Sequence, residues 1–291
     1  MNDSHVTVLR DGRDLGWLEL GDPSGMPVFA FHGTPGSRLQ CAIAEDQIVS
    51  ADVRLVCPDR PGYGLSSFQP GRRLVDWPRD VAELADHLGI DQFATMGVSG
   101  GGPHAAACAA LLDSRVTTAA IVSGVGPLWG VAATEGMLPM SRVFTKLSRR
   151  GSLLMRPVLG LQVALTRRWP NQAVEFIERQ LPPPDVAILQ RPEVRTLFEF
   201  EGVRTSRTAG KAAVQELEIF CRDWGFALAD ISIPVHLWQG DADMNVPASH
   251  ARLQHEAIAG SVLHECPGEG HFLIFDRIEE ILEVLTTPAA A

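Results

Sequence analysis

Short hydrophobic runs alternate with segments of helical periodicity at both ends of the chain. Apolar runs that end in turn residues are typical of strands buried on both faces of a parallel sheet. Apolar residues three and four positions apart predict helices between them. The predicted strands are 5–10, 15–20, 28–33, 53–59, 93–99, 116–124, 234–243 and 261–270, and the predicted helices lie near 37–49, 74–89, 100–112, 248–258 and 272–286. This alternation predicts an α/β fold with a doubly wound, mostly parallel sheet.

The alternation stops between residues 126 and 227. No buried strand is predicted there, and prolines interrupt the helical stretches at Pro170, Pro182, Pro183, Pro184 and Pro192. Because strands and helices alternate again from residue 234, we interpret the segment as an insertion into one sheet rather than a second independent domain. The predicted core is therefore 1–125 and 228–291, with a helical subdomain at 126–227.

The sequence GVSGG at 97–101 follows a predicted strand and precedes a predicted helix. In that context G-x-S-x-G indicates a nucleophile elbow, a tight turn that raises the serine hydroxyl above the carboxyl edge of the sheet. Gly97 and Gly101 would let strand and helix approach closely, and the helix N-terminus would favour developing negative charge. Ser99 is the predicted nucleophile, and a glycine-rich turn with an incidental serine is the alternative.

The sequence HGTPGS at 32–37 directly follows another predicted strand. An acyl-transfer site needs two backbone N–H donors directed at the oxygen that gains charge. We expect the amide of Gly100, just after the predicted nucleophile, to be one donor and the amide of Thr34 to be the other. His32 and Gly33 are expected to support this loop, His32 by packing and hydrogen bonding rather than as a base. A simple proline-glycine turn is the alternative interpretation.

A base for this serine must lie on a loop at the same edge of the sheet. Of nine histidines, His271 lies just past the last predicted strand and just before the last predicted helix, so it is the predicted base. The preceding strand ends in GDAD at 240–243, which offers two carboxylates to orient that histidine. We favour Asp243, and Asp241 is the alternative.

Composition and charge narrow the classes of function. The formal net charge is −10, which disfavours nucleic acid and anionic membranes as partners. The five cysteines are scattered without paired spacing, which disfavours a disulfide framework and a zinc site. No signal-peptide pattern opens the chain, and no apolar run reaches the roughly 18 residues of a membrane span. We expect a cytoplasmic protein that acts on a small molecule without metal or cofactor. The sequence is compatible with a homo-oligomer and does not decide the oligomeric state.

Five motifs in this chain resemble those of the α/β-hydrolase superfamily. They are HGTPGS at 32–37, DRPGYGLS at 59–66, GVSGG at 97–101, GDADMNVP at 240–247 and GEGHF at 268–272. The resemblance implies an eight-stranded, mostly parallel sheet flanked by helices, with its only antiparallel neighbour in the first pair. It also implies a helical cap inserted after the sixth strand and a catalytic triad in the order serine, aspartate, histidine.

The resemblance also narrows the chemistry. Dehalogenases and epoxide hydrolases of this fold have aspartate where this chain has Ser99, and the lipase-type HGGG loop is absent. The chain looks like small-molecule esterases, C–C bond hydrolases, lactonases, prolyl aminopeptidase-like enzymes and cofactor-free haloperoxidases. We therefore expect hydrolysis of an ester-like bond (ester, lactone or C–C ketone) in a small, apolar molecule, through an acyl-enzyme. The alternatives are an acyltransferase or lyase with the same triad, and a non-catalytic small-molecule receptor.

Overall fold

A computed structural model describes residues 4–129, 134–150, 157–158, 160–161, 164–166, 168–204 and 208–287. Eight strands form one sheet in the order β1-β2-β4-β3-β5-β6-β7-β8. They are β1 (Ser4–Val8), β2 (Asp14–Gly21), β3 (Met26–Phe31), β4 (Val53–Pro58), β5 (Phe93–Val98), β6 (Val116–Val122), β7 (Val235–Gly240) and β8 (Val262–Cys266). The predicted eight-stranded, mostly parallel sheet is confirmed.

The pairing of β2 differs from the expectation. β1 and β2 form the predicted antiparallel pair, but β2 is also antiparallel to β4. The expectation of a single antiparallel neighbour was therefore wrong by one pairing. The physical reason is that β3 pairs in parallel with both β4 and β5, so β4 points the same way as the rest of the sheet and β2 alone is reversed.

Helices flank the sheet and fill the segment between β6 and β7. They are α1 (Glu45–Ser50), α2 (Trp77–His87), α3 (Gly102–Leu111), α4 (Pro139–Ser148), α5 (Pro170–Glu178), α6 (Pro183–Leu189), α7 (Pro192–Arg204), α8 (Ala209–Phe220), α9 (Ser249–Ala257) and α10 (Ile274–Thr286). The helix predicted at 37–49 is shorter than expected, because residues 38–44 form a 3₁₀ turn before α1. No helix among the described residues is long and apolar enough to cross a membrane.

Hydrophobic cores lie on both faces of the sheet. Phe29 and Phe31 of β3 pack in the cluster that contains residues of α2 and α3. Val28 and Ala30, the alternate residues of the same strand, pack in the cluster that contains residues of α1 and α10. Because side chains alternate across a strand, a strand covered on both faces needs apolar residues at every position. This explains the continuous apolar runs in the sequence.

The segment between β6 and β7 holds α4 to α8, and its described residues contain no strand. Several positions of the predicted cap at 126–227 lie outside the described residues, including 130–133, 151–156 and 205–207. In α8, Glu216 is fully buried, and in α6 Asp185 is also fully buried. Charged side chains are rarely buried unless they have partners, so we expect both residues to contact polar or charged groups. Its division from the core as a cap stays a prediction.

Candidate active site

Ser99 lies at the turn between β5 and α3. Its φ of 55° is in the left-handed region, which is uncommon for residues other than glycine and recurs at functional sites. A Cβ on Gly97 would collide with the carbonyl oxygen of Gly101 and lie 2.9 Å from the Cβ of Ala105. A Cβ on Gly101 would collide with the carbonyl oxygen of Phe31. Glycine at both positions therefore lets the strand, the turn and the helix pack closely enough to form this bend.

The structure brings His271 to Ser99 across 172 positions of sequence. His271 lies in the turn between β8 and α10, and its Nε2 is 3.0 Å from Ser99 Oγ. Its Nδ1 is 2.7 Å from Asp243 Oδ2. Because a carboxylate accepts only, Nδ1 carries the proton and donates to Asp243. Nε2 of the neutral ring is then free to accept the proton of the serine hydroxyl.

Asp243 is held in place by the turn that follows β7. Its Oδ1 accepts the backbone amides of Asn245 and Val246, both at 2.8 Å, and its side chain is fully buried. Asp241, the sequence alternative, instead accepts the amide of Gly268 at 2.7 Å on the protein surface. Of the two carboxylates, the structure therefore brings Asp243 to the histidine and leaves Asp241 to connect two loops.

A second carboxylate lies close to the histidine. Asp185 Oδ1 accepts the backbone amide of Phe272 at 2.8 Å. Burial lowers the pKa of His271, but the charge and hydrogen bond of Asp243, with a further contribution from Asp185, more than offset this and raise that pKa above its usual value. Asp185 was not predicted, because an acidic residue in the first turn of a helix usually reflects favourable capping electrostatics.

The loop after β3 packs directly against the turn that carries Ser99. A Cβ on Gly100 would collide with Thr34 Oγ1 and lie 3.3 Å from the Thr34 backbone nitrogen. A Cβ on Gly33 would lie 3.7 Å from the Cβ of Ser99. The amides of Thr34 and Gly100, the two predicted donors, therefore lie on neighbouring segments beside the serine.

His32 faces away from this chemistry. Its Nε2 accepts the backbone amide of Arg60 at 3.1 Å, so its Nδ1 carries the proton and donates to the carbonyl of Gly33 at 2.8 Å. The amide of Gly33 in turn donates to Gln40 Oε1 at 2.8 Å. Burial lowers the pKa of His32 well below its usual value, so the ring is neutral. His32 thus holds the loop through packing and hydrogen bonds.

His104, five residues after Ser99, is also turned away from the serine hydroxyl. Its Nδ1 donates to the carbonyl of Gly100 at 2.9 Å, and its Nε2 accepts from Arg72 at 3.3 Å. The ring is fully buried, and burial lowers its pKa well below the usual value. The structure therefore places it behind the turn, where it holds the carbonyl of Gly100.

Buried ion pairs behind the loop were not predicted. Glu216 of α8 binds Arg60 and Arg72, and none of the three side chains is more than 2% exposed. The motif DRPGYGLS contains Arg60, but its local pattern does not say which residue of the insertion it contacts. Among the described residues, no group of three or more histidine, cysteine or acidic side chains is arranged to hold a metal ion.

Comparison with known proteins identifies a matching family model and several similar chains. A family model described as "alpha/beta hydrolase fold" matches residues 27–278. An uncharacterized hydrolase of Bacillus subtilis, YcgS, is 24% identical over 273 residues, which cover 92% of this chain and 91% of the relative. Haloalkane dehalogenase 2 of Mycobacterium tuberculosis is 32% identical over 170 residues, which cover 56% of this chain and 57% of the relative. An esterase structure from Exiguobacterium antarcticum superposes with a TM-score of 0.70 at 20% identity, covering 96% of this chain and 97% of the other.

Proposed function

The chain belongs to the alpha/beta hydrolase fold family, and we propose that it is a serine hydrolase that cleaves an ester-like bond of a small molecule. The observation that carries this proposal is the chain of hydrogen bonds from Ser99 through His271 to Asp243, at 3.0 Å and 2.7 Å. Family membership and the similarity to a hydrolase along most of the chain support a hydrolase. The arrangement itself supports a serine nucleophile.

In the proposed mechanism, neutral His271 takes the proton of the Ser99 hydroxyl as its oxygen attacks the substrate carbonyl. The resulting tetrahedral intermediate collapses as the histidine returns that proton to the leaving alcohol. Water, activated by the same histidine, then attacks the acyl-enzyme and releases the acid and the free serine. Asp243 fixes the tautomer of the ring and stabilises its charged form in both steps.

Two backbone amides would stabilise the oxygen that gains charge. We assign this role to the amides of Gly100 and Thr34, because they lie on adjacent segments beside Ser99. Gly33, Gly97 and Gly101 support the site by close packing, and His32 supports it through hydrogen bonds.

An apolar acyl group is part of the proposal. Phe272, next to the base, packs with Phe198 of the insertion at a ring-centroid distance of 5.1 Å. Both belong to or pack against a hydrophobic cluster formed largely by the insertion. Ester, lactone and C–C ketone bonds stay within the proposed substrate class. The cap at 126–227 and a cytoplasmic location stay predictions.

The test compares wild type with Ser99→Ala, using a fluorophosphonate probe and p-nitrophenyl esters of increasing acyl length. Ser123→Ala is the matched control, because Ser123 also directly follows a strand, has a positive φ of 46° and is buried. We expect labelling and turnover to depend on Ser99 and not on Ser123. An active Ser99→Ala protein would contradict the proposal.

Two other outcomes would favour a different function. Product that forms only with an added alcohol, in excess water, would favour acyl transfer. Neither labelling nor turnover, together with tight binding of a small apolar molecule, would favour a receptor on the same scaffold.

A further inference from the structure

A buried cluster of charged side chains lies directly behind the loop that carries Thr34. Glu216 Oε1 accepts from Arg60 Nε at 2.7 Å and from an Arg72 amino group at 2.6 Å. Glu216 Oε2 accepts from Arg60 at 3.0 Å and from the Tyr63 hydroxyl at 3.0 Å. The carboxylate thus has several directed donors, the condition under which a buried charge is tolerated.

The same carboxylate holds the loop itself. The Thr34 hydroxyl donates to Glu216 Oε2 at 2.6 Å and accepts from Arg60 at 2.9 Å. Arg60 also donates to the carbonyl of Gly33 at 3.2 Å and to the carbonyl of His32. His32, Gly33 and Thr34 are therefore each bound to this cluster.

The turn after Ser99 is bound to the cluster from its other side. Arg72 contacts His104 at 3.3 Å, and His104 donates to the carbonyl of Gly100 at 2.9 Å. One set of buried side chains consequently contacts the carbonyl of the Gly33–Thr34 peptide, which carries the Thr34 amide, and the carbonyl of Gly100, the residue that carries the second amide. Glu216 is the member that comes from the inserted segment, on α8.

We propose that Glu216 is a positioning residue. It holds the Thr34 amide in the position where this amide and the Gly100 amide together stabilise the oxyanion. This inference rests on the proposed function. It means that the inserted segment, besides covering the core, completes the geometry of the oxyanion site through one buried carboxylate.

The charge states of the cluster are consistent with this role. Burial raises the pKa of Glu216, but the two guanidinium groups more than offset this and hold that pKa well below its usual value. Burial raises the pKa of Tyr63 well above its usual value, so its hydroxyl stays a donor. The cluster therefore contains one carboxylate and two guanidinium groups, one more positive charge than negative. That excess could itself favour an oxyanion, so the test must separate charge from position.

The primary test is Thr34→Val, which removes the hydroxyl but keeps the backbone amide and leaves Glu216 its three other partners. The matched control is Tyr63→Phe, which removes a different hydrogen bond to the same Glu216 oxygen. Thr34→Ser restores the hydroxyl. The readouts are kcat, KM and the affinity for a trifluoromethyl ketone, whose adduct with serine carries an oxyanion.

We expect Thr34→Val to lower kcat by about 10- to 100-fold with little change in KM. A loss of this size is typical when one hydrogen-bond donor to the oxyanion is displaced. The affinity for the ketone should fall by the same factor. Thr34→Ser should recover most of both losses, and Tyr63→Phe should retain kcat within about threefold. Equal kcat in Thr34→Val and Thr34→Ser, while turnover still depends on Ser99, would overturn the positioning role alone.

Glu216→Gln gives a second test, in which the two explanations predict changes of kcat in opposite directions. It leaves two buried guanidinium groups without a carboxylate, so its folded fraction is measured first by circular dichroism and thermal unfolding. If position decides, the folded Glu216→Gln protein has a lower kcat than wild type. If the excess positive charge decides, kcat rises, and the proposal is wrong. Turnover in wild type that does not depend on Ser99 would instead overturn the proposed function.

Discussion

The carboxylate of Asp185 accepts the backbone amide of Phe272 at 2.8 Å. Asp185 lies on α6, in the segment between β6 and β7, whereas Phe272 immediately follows His271. A side chain of the inserted segment therefore holds the turn that carries the histidine. Burial raises the pKa of Asp185, partly offset by the amides that it accepts, and its second oxygen has no hydrogen-bond partner among the described residues.

Asp185→Asn should move the acidic limb of the pH–rate profile to lower pH. The charged groups that face His271 are Asp243 and Asp185, and both raise its pKa, whereas burial lowers it. Only the neutral ring acts as base, so activity falls as the pH decreases through this pKa. Removal of one negative charge lowers the pKa, and activity then persists further into acid. The measurement is kcat/KM against pH from about 5 to about 9.

The asparagine keeps an oxygen that can accept the Phe272 amide, so the change is mainly one of charge. Glu178→Gln, at a partly exposed position of the same segment, is the control and should leave the profile in place. An acidic limb that does not move in Asp185→Asn would show that Asp185 carries no charge while His271 titrates.

Asp243→Asn should lower kcat by roughly 10³- to 10⁴-fold, because an amide in place of the carboxylate favours the wrong tautomer of His271. Asp241→Asn is the matched control two residues away. Its carboxylate contacts the amide of Gly268 rather than the histidine, so kcat should stay within about threefold of wild type. The measurement is steady-state turnover of the best p-nitrophenyl ester. Equal losses in the two variants would reject the assignment of Asp243.

Gly100→Ala should lower kcat by about tenfold or more through displacement of the Thr34 loop. The added Cβ would collide with Thr34 Oγ1 and lie 2.7 Å from Thr34 Cβ, so the loop must shift. Gly160→Ala is the control, because its Cβ would have open space. The measurement is kcat together with thermal unfolding. A folded Gly100→Ala protein with wild-type kcat would show that the Thr34 amide does not take part in catalysis.

Asp59→Asn should lower the free energy of unfolding by about 3–5 kcal/mol. Asp59 is fully buried and accepts from the Arg38 amide at 2.7 Å, the Arg38 guanidinium at 2.6 Å and the Leu65 amide at 2.8 Å. The asparagine would leave the Arg38 charge buried without its partner.

Glu265→Gln removes a carboxylate from an ion pair with Arg252 in which both side chains are more than half exposed. It should cost less than about 1 kcal/mol, because water screens exposed pairs. Chemical denaturation of both variants checks this difference. A loss below about 1 kcal/mol in Asp59→Asn would contradict the expected cost of an unpaired buried charge.

Local pattern in the sequence was sufficient for the elements of the sheet and for the turns that carry Ser99 and His271. Continuous apolar runs identify the strands, because a strand covered on both faces carries apolar side chains at every position. Strand ends and glycines identify the turns of Ser99 and His271, because a tight bend needs particular residues at particular places. These properties depend on neighbours in sequence. The predicted strands ran past the observed ends where polar turn residues follow, as in Gly240 to Asp243.

Only the tertiary structure decided between Asp241 and Asp243. It alone showed that β2 is antiparallel to both of its neighbours. It alone also showed that Asp185 and Glu216 lie next to the site. The two aspartates share one short turn, and their roles differ only through the direction that each side chain takes toward distant residues. Glu216 meets Thr34 across 182 positions of sequence. Such contacts arise from how helices pack over a sheet, and no periodicity or spacing along the chain encodes which buried carboxylate will face which guanidinium group.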